Sequence, residues 1–212
     1  MKVNIKKTVM LSVLAVIALL SGVLIGLHLS KKSGFDEAQF HGTWLKHPRA
    51  LQSFSLKRTD GRVFNNESLH GHWTMVFFGF TNCGYLCPTA MAEIGKMYRQ
   101  LQAQGIENLP EVVMISIDPR RDNMGKLKSY VEAFNPHFSG ARGNEKIISA
   151  MTREMGVAYI KVAVQEGQNP ENYDMQHSGA IMLINPQGKL NAFFTTPHQA
   201  DSLAADYEML IR

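Results

Sequence analysis

Residues 73–88 read WTMVFFGFTNCGYLCP, and this stretch decides the fold. Its first eight residues form a continuous apolar, β-prone run, which is typical of a strand buried on both faces of a sheet. Cys83 and Cys87 follow at once, and Pro88 opens a stretch whose apolar residues recur at helical spacing. Because open α/β sheets place their sites at strand ends, the two cysteines mark the expected site.

Strands and helices alternate on the C-terminal side of this stretch. We predict helices over residues 88–105, 123–134 and 144–155 and from residue 199, and strands over residues 112–117, 157–164, 180–184 and 190–194. On the N-terminal side, Asp60 and Gly61 form a turn signal that predicts a short hairpin. This order indicates an α/β fold, with a central mixed sheet flanked by helices. A reactive pair at a strand-to-helix junction gives that fold a thioredoxin-like layout.

The N-terminal region carries an uncharged apolar segment over residues 8–29. As a helix, this segment is long enough for a hydrocarbon core of ~30 Å, and it predicts one N-terminal transmembrane helix. Three lysines precede it, which keeps the N-terminus in the cytoplasm and exports the rest of the chain. The predicted location is therefore the inner (cytoplasmic) membrane, single-pass, with the C-terminal domain facing the periplasm or extracytoplasmic side. A cleaved signal peptide is the alternative, but its apolar region is usually shorter and ends at a small-residue site.

Length and composition suit one folded domain with an appendage. The chain has 212 residues, of which 45% are hydrophobic and 19% charged. We predict a membrane anchor over residues 1–30, a linker over residues 31–50 and the thioredoxin-like domain over residues 51–212. Without the three lysines near the N-terminus, 19 of the 22 basic residues remain against 18 acidic ones. This near-neutral balance gives no indication of a nucleic-acid partner.

The chain has two cysteines, four positions apart, which excludes a disulfide-rich scaffold. Pro88 disfavours a helical conformation at Cys87, so we predict that the helix starts at the proline and that Cys87 is N-cap-like. A helix N-terminus favours thiolate over thiol. The sequence leaves three uses open. The pair can bind a soft metal such as Cu(I), or Cu(II) if imidazole joins; it can cycle between dithiol and disulfide; or it can be a structural disulfide or two inert thiols.

Further candidate metal ligands are histidines and one methionine. His177 directly precedes a predicted strand, where its imidazole can point towards the cysteine loop and complete a copper site. Met175, two residues earlier, is a possible extra contact. His70 and His72 form an H-x-H pair that could hold a metal, but a solvated turn is the simpler interpretation because nothing nearby completes a site.

Asp118 and Asp122 follow a predicted strand and precede a predicted helix. Asp122 is placed to cap that helix. Arg120 and Arg121 lie beside these acids, so local ion pairing is the simplest interpretation of the charges. The stretch supplies too few carboxylates for an octahedral Mg²⁺ or Ca²⁺ site.

An ordered set of motifs resembles the Sco/SenC family. The set comprises SFSL (53–56), DG (60–61), L-x-G (69–71), FFGFT-x-C (77–83), CP (87–88), SIDP-x-RD (116–122), HS (177–178) and NP-x-G (185–188). The resemblance implies a thioredoxin-like fold and a copper ion, Cu(I) or Cu(II), held by Cys83, Cys87 and His177. It also implies a role in assembling the dinuclear copper centre of cytochrome c oxidase, with the copper-bearing oxidase subunit as partner.

Two positions depart from the family pattern. Gly84 stands where the family usually has proline, which loosens the loop. Gln176 stands where it often has aspartate, which removes a carboxylate that could orient the histidine. Neither departure deletes a ligand.

Two functional hypotheses follow. The first is a membrane-anchored copper chaperone, which is not an enzyme. The second is a thiol–disulfide oxidoreductase, with Cys83 and Cys87 catalytic, that reduces the cysteines of the oxidase subunit or another exported client. The three-residue spacing is longer than in C-x-x-C motifs, and His177 has no obvious duty in plain disulfide exchange. Both points favour the chaperone.

Overall fold

A computed structural model of the chain describes residues 14–22, 37–163 and 173–211. The chain divides into a first unit, of which residues 14–22 are described, and a second unit, Glu37–Ile211. The second unit contains the predicted alternation of strands and helices. Its strands are β1 (Thr43–Ala50), β2 (Ser55–Arg58), β3 (Val63–Asn65), β4 (Thr74–Gly79), β5 (Glu111–Ser116), β6 (Ser139–Arg142), β7 (Tyr159–Ala163), β8 (Tyr173–His177), β9 (Ile181–Ile184) and β10 (Lys189–Phe194). Its α-helices are α1 (Leu86–Ala103), α2 (Met124–Glu132), α3 (Glu145–Met155) and α4 (Ala200–Ile211).

Eight of these strands form one mixed sheet in the order β1-β10-β9-β4-β5-β6-β2-β3. The central strands β4, β5 and β6 are parallel, and β9 pairs with β4 in the antiparallel sense. Strands β7 and β8 pair with each other as a separate two-stranded sheet. The predicted α/β class with a central mixed sheet is therefore confirmed.

Strand β4 is the centre of the core. Every one of its residues is buried, so both faces of the sheet are covered there, as its unbroken apolar run predicts. Helix α1 follows it and buries an apolar stripe at helical spacing. Four methionines are buried in the core, namely Met91, Met97, Met151 and Met182.

The predicted linker over residues 31–50 is wrong for its last eight residues, because Thr43–Ala50 forms β1 and pairs with β10. This strand lies at the sheet edge, contains Pro48 and has an irregular register between Trp44 and Arg49. Proline is tolerated on edge strands, and the irregular register leaves no alternating pattern to detect.

The predicted transmembrane helix lies mostly outside the described residues. Residues 14–22 are helical, and all of them are exposed. Among the residues that the structure describes, no helix has both the length and the apolar character needed to cross a bilayer.

Candidate metal centre

The cysteine loop connects β4 to α1. Helix α1 begins at Leu86, with Tyr85 in the N-cap position, so the predicted start at Pro88 is wrong by two residues. Pro88 instead occupies the first turn, where a proline costs no hydrogen bond because these N–H groups have no partner within the helix. The backbone N–H of Cys87 donates to Cys83 Sγ at 3.3 Å. The helix N-terminus therefore points at Cys83.

His177 is the last residue of β8 and approaches the loop from the β7–β8 hairpin. It pairs with Tyr159 of β7, and the next N–H, that of Ser178, donates to Ala158 O at 3.0 Å. The imidazole contacts two rings edge-on, with centroids 5.9 Å from Phe77 and 6.0 Å from Phe80. Its Nε2 atom lies 3.2 Å from Cys87 Sγ. The structure thus brings the third predicted ligand to the cysteines.

Cys83, Cys87 and His177 offer three donor atoms that lie within 4.8 Å of one another. Neither cysteine is in a disulfide. Cys87 is buried, whereas Cys83 and His177 are half-buried, so the group can be reached from one side. Two sulfur donors and one imidazole nitrogen suit a soft or borderline transition metal such as copper.

Packing rather than a carboxylate orients the His177 ring. Its Nδ1 atom is buried and has no hydrogen-bond partner. Gln176 is exposed, and successive side chains of a strand point to opposite faces, so residue 176 faces away from the site. A side chain at position 176 therefore does not contact the imidazole in this conformation, so the Gln176 departure from the family pattern removes no group that orients it.

The two thiols have opposite acidities. A hydrogen bond with Cys87 lowers the pKa of Cys83 to about 3, and hydrogen bonds with His177 and with the backbone of Cys87 and Tyr85 add to this effect, although partial burial opposes it. The same bond to Cys83, together with burial, raises the pKa of the Cys87 thiol. The predicted thiolate at Cys87 is therefore wrong. Cys83 is the thiolate, because it accepts the hydrogen bond of the Cys87 thiol and, in addition, that of the Cys87 N–H.

Asp122 fixes the start of the cysteine loop. The Thr81 hydroxyl donates to Asp122 Oδ1 at 2.5 Å, and the Ser116 hydroxyl donates to Asp122 Oδ2 at 2.6 Å. The predicted capping role is wrong for this residue, because Asn123 is the N-cap of α2 and accepts the Lys126 N–H at 2.9 Å. The buried Asp122 carboxylate ties β5 to the loop instead.

Ion pairing beside Asp122 is confirmed for one of the two arginines. Arg121 Nε lies 2.5 Å from Asp118 Oδ2, whereas Arg120 Nε lies 3.8 Å from Glu145. Asp118 also accepts the hydroxyl of Tyr173, the first residue of β8, at 2.5 Å. This buried carboxylate therefore contacts the strand that carries His177.

The remaining candidates lie elsewhere or stay untested. His72 Nε2 pairs with Glu111 at 3.1 Å, and the main chain of His70 forms an isolated antiparallel β-bridge with Gln187. Over the described residues, the only group of three or more histidine, cysteine or acidic side chains placed to hold a metal is the one at the cysteine loop. Met175 is buried on the same face of β8 as His177, and its role as an extra contact stays a prediction.

Thr81 and Tyr173 are supporting residues whose roles the sequence does not indicate, although Thr81 lies within the FFGFT-x-C motif. Thr81 carries a weak signal, because it is a polar residue directly after a buried apolar run. Tyr173 carries none, since it lies far along the chain from Asp118 and its strand is too polar to be predicted.

Comparison with known proteins places the chain in one family. The family model described as SCO1/SenC matches residues 43–212. A putative copper-binding protein of Stutzerimonas stutzeri is 30% identical over 184 residues, which cover 87% of each chain. Copper-bound ScoI of Arabidopsis thaliana has a TM-score of 0.67 at 28% identity and covers 76% of this chain and 97% of that one. Copper-bound ScoI of Bradyrhizobium japonicum has a TM-score of 0.64 at 29% identity, with 75% and 98% covered.

These likenesses confirm the thioredoxin-like fold. The match to the family model covers most of the chain, and the fold and the motif order agree with it. The chain belongs to the SCO1/SenC family.

Proposed function

We propose that this chain is a membrane-anchored copper chaperone that holds one copper ion as cargo between Cys83, Cys87 and His177. Its client is the copper-bearing subunit of cytochrome c oxidase, whose dinuclear copper centre it helps to assemble. The observation that carries the proposal is the convergence of two sulfur atoms and one imidazole nitrogen within 4.8 Å. Copper in the two ScoI structures and the relative described as a putative copper-binding protein support the choice of metal.

The unequal thiols suit the loading and release of a cargo ion. Cys83 is half-buried and already a thiolate, so it is the first ligand that an incoming ion meets. Cys87 is buried and protonated, and it gives up its proton when it joins the metal. Thiolates favour Cu(I), and the imidazole also accommodates Cu(II). A client can replace the ligands stepwise from the exposed side.

The membrane tether belongs to the same proposal. The uncharged segment over residues 8–29, with lysines on both sides, supports an anchor that leaves the folded unit on the periplasmic or extracytoplasmic side. Tethering would hold the copper site near a membrane-embedded client.

A thiol–disulfide oxidoreductase is the second candidate, and the low pKa of half-buried Cys83 favours it. The Cys83 thiolate would attack a client disulfide, forming a mixed disulfide and releasing one client sulfur as a thiolate. Cys87 would then attack Cys83, lose its proton and release the second client thiol. The client gains two electrons, and the chain is left with a Cys83–Cys87 disulfide.

Oxidase activity in a strain that lacks the chromosomal copy of this gene tests the proposal. Complementation with the wild-type chain should restore the activity, whereas Cys83→Ser, Cys87→Ser and His177→Ala should each fail. The oxidoreductase needs both thiols but not the imidazole as a metal ligand. Full activity of the His177→Ala chain would therefore overturn the chaperone in favour of the oxidoreductase.

A further inference from the structure

Arg121 holds the first residue of β8 in place. Its Nε donates to Asp118 Oδ2 at 2.5 Å, and its Nη1 donates to the main-chain oxygen of Tyr173 at 2.7 Å. The guanidinium also stacks on the Tyr173 ring, with Cζ 3.8 Å from the ring centroid. The Tyr173 hydroxyl donates a hydrogen bond to the other carboxylate oxygen of Asp118, Oδ1. One arginine and one buried carboxylate thus fix both the main chain and the side chain of Tyr173.

The β7–β8 hairpin needs such an attachment. Within the described residues, β7 and β8 pair only with each other, so the hydrogen bonds of the eight-stranded sheet do not set their position. Tyr173 begins β8 and His177 ends it. Because β8 is only five residues long, a displacement of Tyr173 would also move the His177 imidazole.

Arg121 also contacts a second aromatic ring, which packs against the His177 imidazole. Arg121 Cζ lies 6.0 Å from the centroid of the Phe80 ring, and that ring packs edge-on against His177. Since His177 Nδ1 has no hydrogen-bond partner, the ring depends for its placement on the hairpin, on these aromatic contacts and on the contact of its Nε2 atom with Cys87 Sγ.

We propose that Arg121 is a positioning residue that sets the distance between His177 and Cys87 by fixing Tyr173 against Asp118. The inference rests on the proposed copper site and assigns Arg121 no contact with the metal. Lysine cannot replace this arginine, because its ammonium has no plane to stack on the Tyr173 ring while it donates to Asp118 and to the Tyr173 main chain.

Arg121→Lys in the full-length chain tests the proposal, because it keeps a positive charge beside buried Asp118. We expect the Cu(I) affinity, measured by competition with a chromophoric Cu(I) chelator, to fall by about ten- to a hundredfold, the range typical of residues that orient metal ligands. Arg58→Lys is the matched control. Arg58 is also buried and pairs with Glu111 and Asp60, but it lies on β2, and its replacement should leave the affinity unchanged.

A double-mutant cycle separates positioning from a general loss of stability. If Arg121 acts through His177, Arg121→Lys should cause no further loss of Cu(I) affinity in the His177→Ala background. An equal loss in both backgrounds, or no loss in the wild-type background, would overturn the proposal. If the Arg121→Lys chain does not fold, Tyr173→Phe, which removes only the hydroxyl bond to Asp118, decides by the same criteria.

Imidazole NMR of the reduced, metal-free chain gives a readout that does not depend on copper. The His177 ring signals should shift in Arg121→Lys and stay in place in Arg58→Lys. If the wild-type chain bound no copper, the proposed function would fail, and this comparison would still test the placement of His177. Unchanged His177 signals in Arg121→Lys would contradict the positioning role.

Discussion

At the residue scale, Cys83 and Cys87 should differ sharply in reactivity. The half-buried Cys83 is a thiolate, whereas the buried Cys87 keeps its proton. In the reduced, metal-free chain, iodoacetamide should therefore modify Cys83 first. This preference should persist at pH 5, because the thiolate is lost only as the pH falls through a pKa of about 3. Peptide mass spectrometry over a time course measures both rates, and equal rates would contradict the assignment of the thiolate.

Gly79 makes room for the buried thiol at the end of β4. A Cβ atom at this position would lie 3.0 Å from Cys87 Sγ and 2.7 Å from a ring carbon of Phe77. Gly79→Ala should therefore lower the free energy of unfolding by about 1–3 kcal/mol, the usual cost of overpacking, and weaken copper binding. Urea unfolding and the chelator competition measure the two effects.

Gly84→Ala is the matched control, because a Cβ atom there meets no atom within 4 Å and the backbone lies outside the left-handed region. It should lower neither quantity, because alanine at a compatible backbone conformation does not destabilise the folded chain. Equal effects of the two substitutions would show that Gly79 has no special role beside Cys87.

The candidate ligands can be predicted from sequence, but their protonation cannot. Two cysteines at a strand-to-helix junction, with the motif that contains His177, suffice to nominate the three donors. Which thiol loses its proton depends on which sulfur accepts the hydrogen bonds of the other cysteine. A proline in the first turn is compatible with a helix that begins at Leu86 or at Pro88, so only the structure decides this.

At the scale of elements, the turn between β5 and α2 both caps a helix and fixes the cysteine loop. Asn123 caps the helix and Asp122 fixes the loop, so single substitutions can separate the two roles. Asn123→Ala should cost about 1 kcal/mol of stability through loss of the N-cap and leave copper affinity unchanged. Asp122→Asn should weaken the bonds to Thr81 and Ser116 and lower copper affinity as well. Urea unfolding and copper competition test both, and a loss of copper affinity in Asn123→Ala alone would contradict this division.

Strands differ in how well their sequence predicts them. The buried strands β4, β5 and β9 carry unbroken apolar runs and are predicted within a few residues. Strands β6 and β8 carry short, polar sequences, SGAR and YDMQH, that show no run of apolar residues. Because these strands pair with partners distant in the chain, their local sequence does not predict them, and the hairpin that carries His177 is not predicted either.

At the scale of the whole molecule, the folded unit should require the residues before β2. The buried carboxylate of Asp206 in α4 accepts the backbone N–H groups of His41 and Gly42 and pairs with the His41 ring at 2.8 Å. A chain cut to residues 51–212 loses all three donors together with β1. It should therefore be less stable than residues 37–212, because Asp206 loses these hydrogen bonds and the sheet loses its edge strand.

Urea unfolding of the two shortened chains measures the difference. Asp206→Asn should recover part of the loss in residues 51–212, because an uncharged amide is cheaper to bury than a carboxylate. Equal stability of the two chains would restore residue 51 as the domain boundary.

The central claim is that Cys83, Cys87 and His177 hold one copper ion. Its most direct test is Cu(I) titration of the reduced full-length chain in mild detergent, beside Cys83→Ser, Cys87→Ser and His177→Ala. We predict one tightly bound copper per chain and weaker binding in all three variants. No specific copper binding, together with a readily reversible Cys83–Cys87 disulfide, would contradict the claim and leave thiol–disulfide exchange as the function of the site.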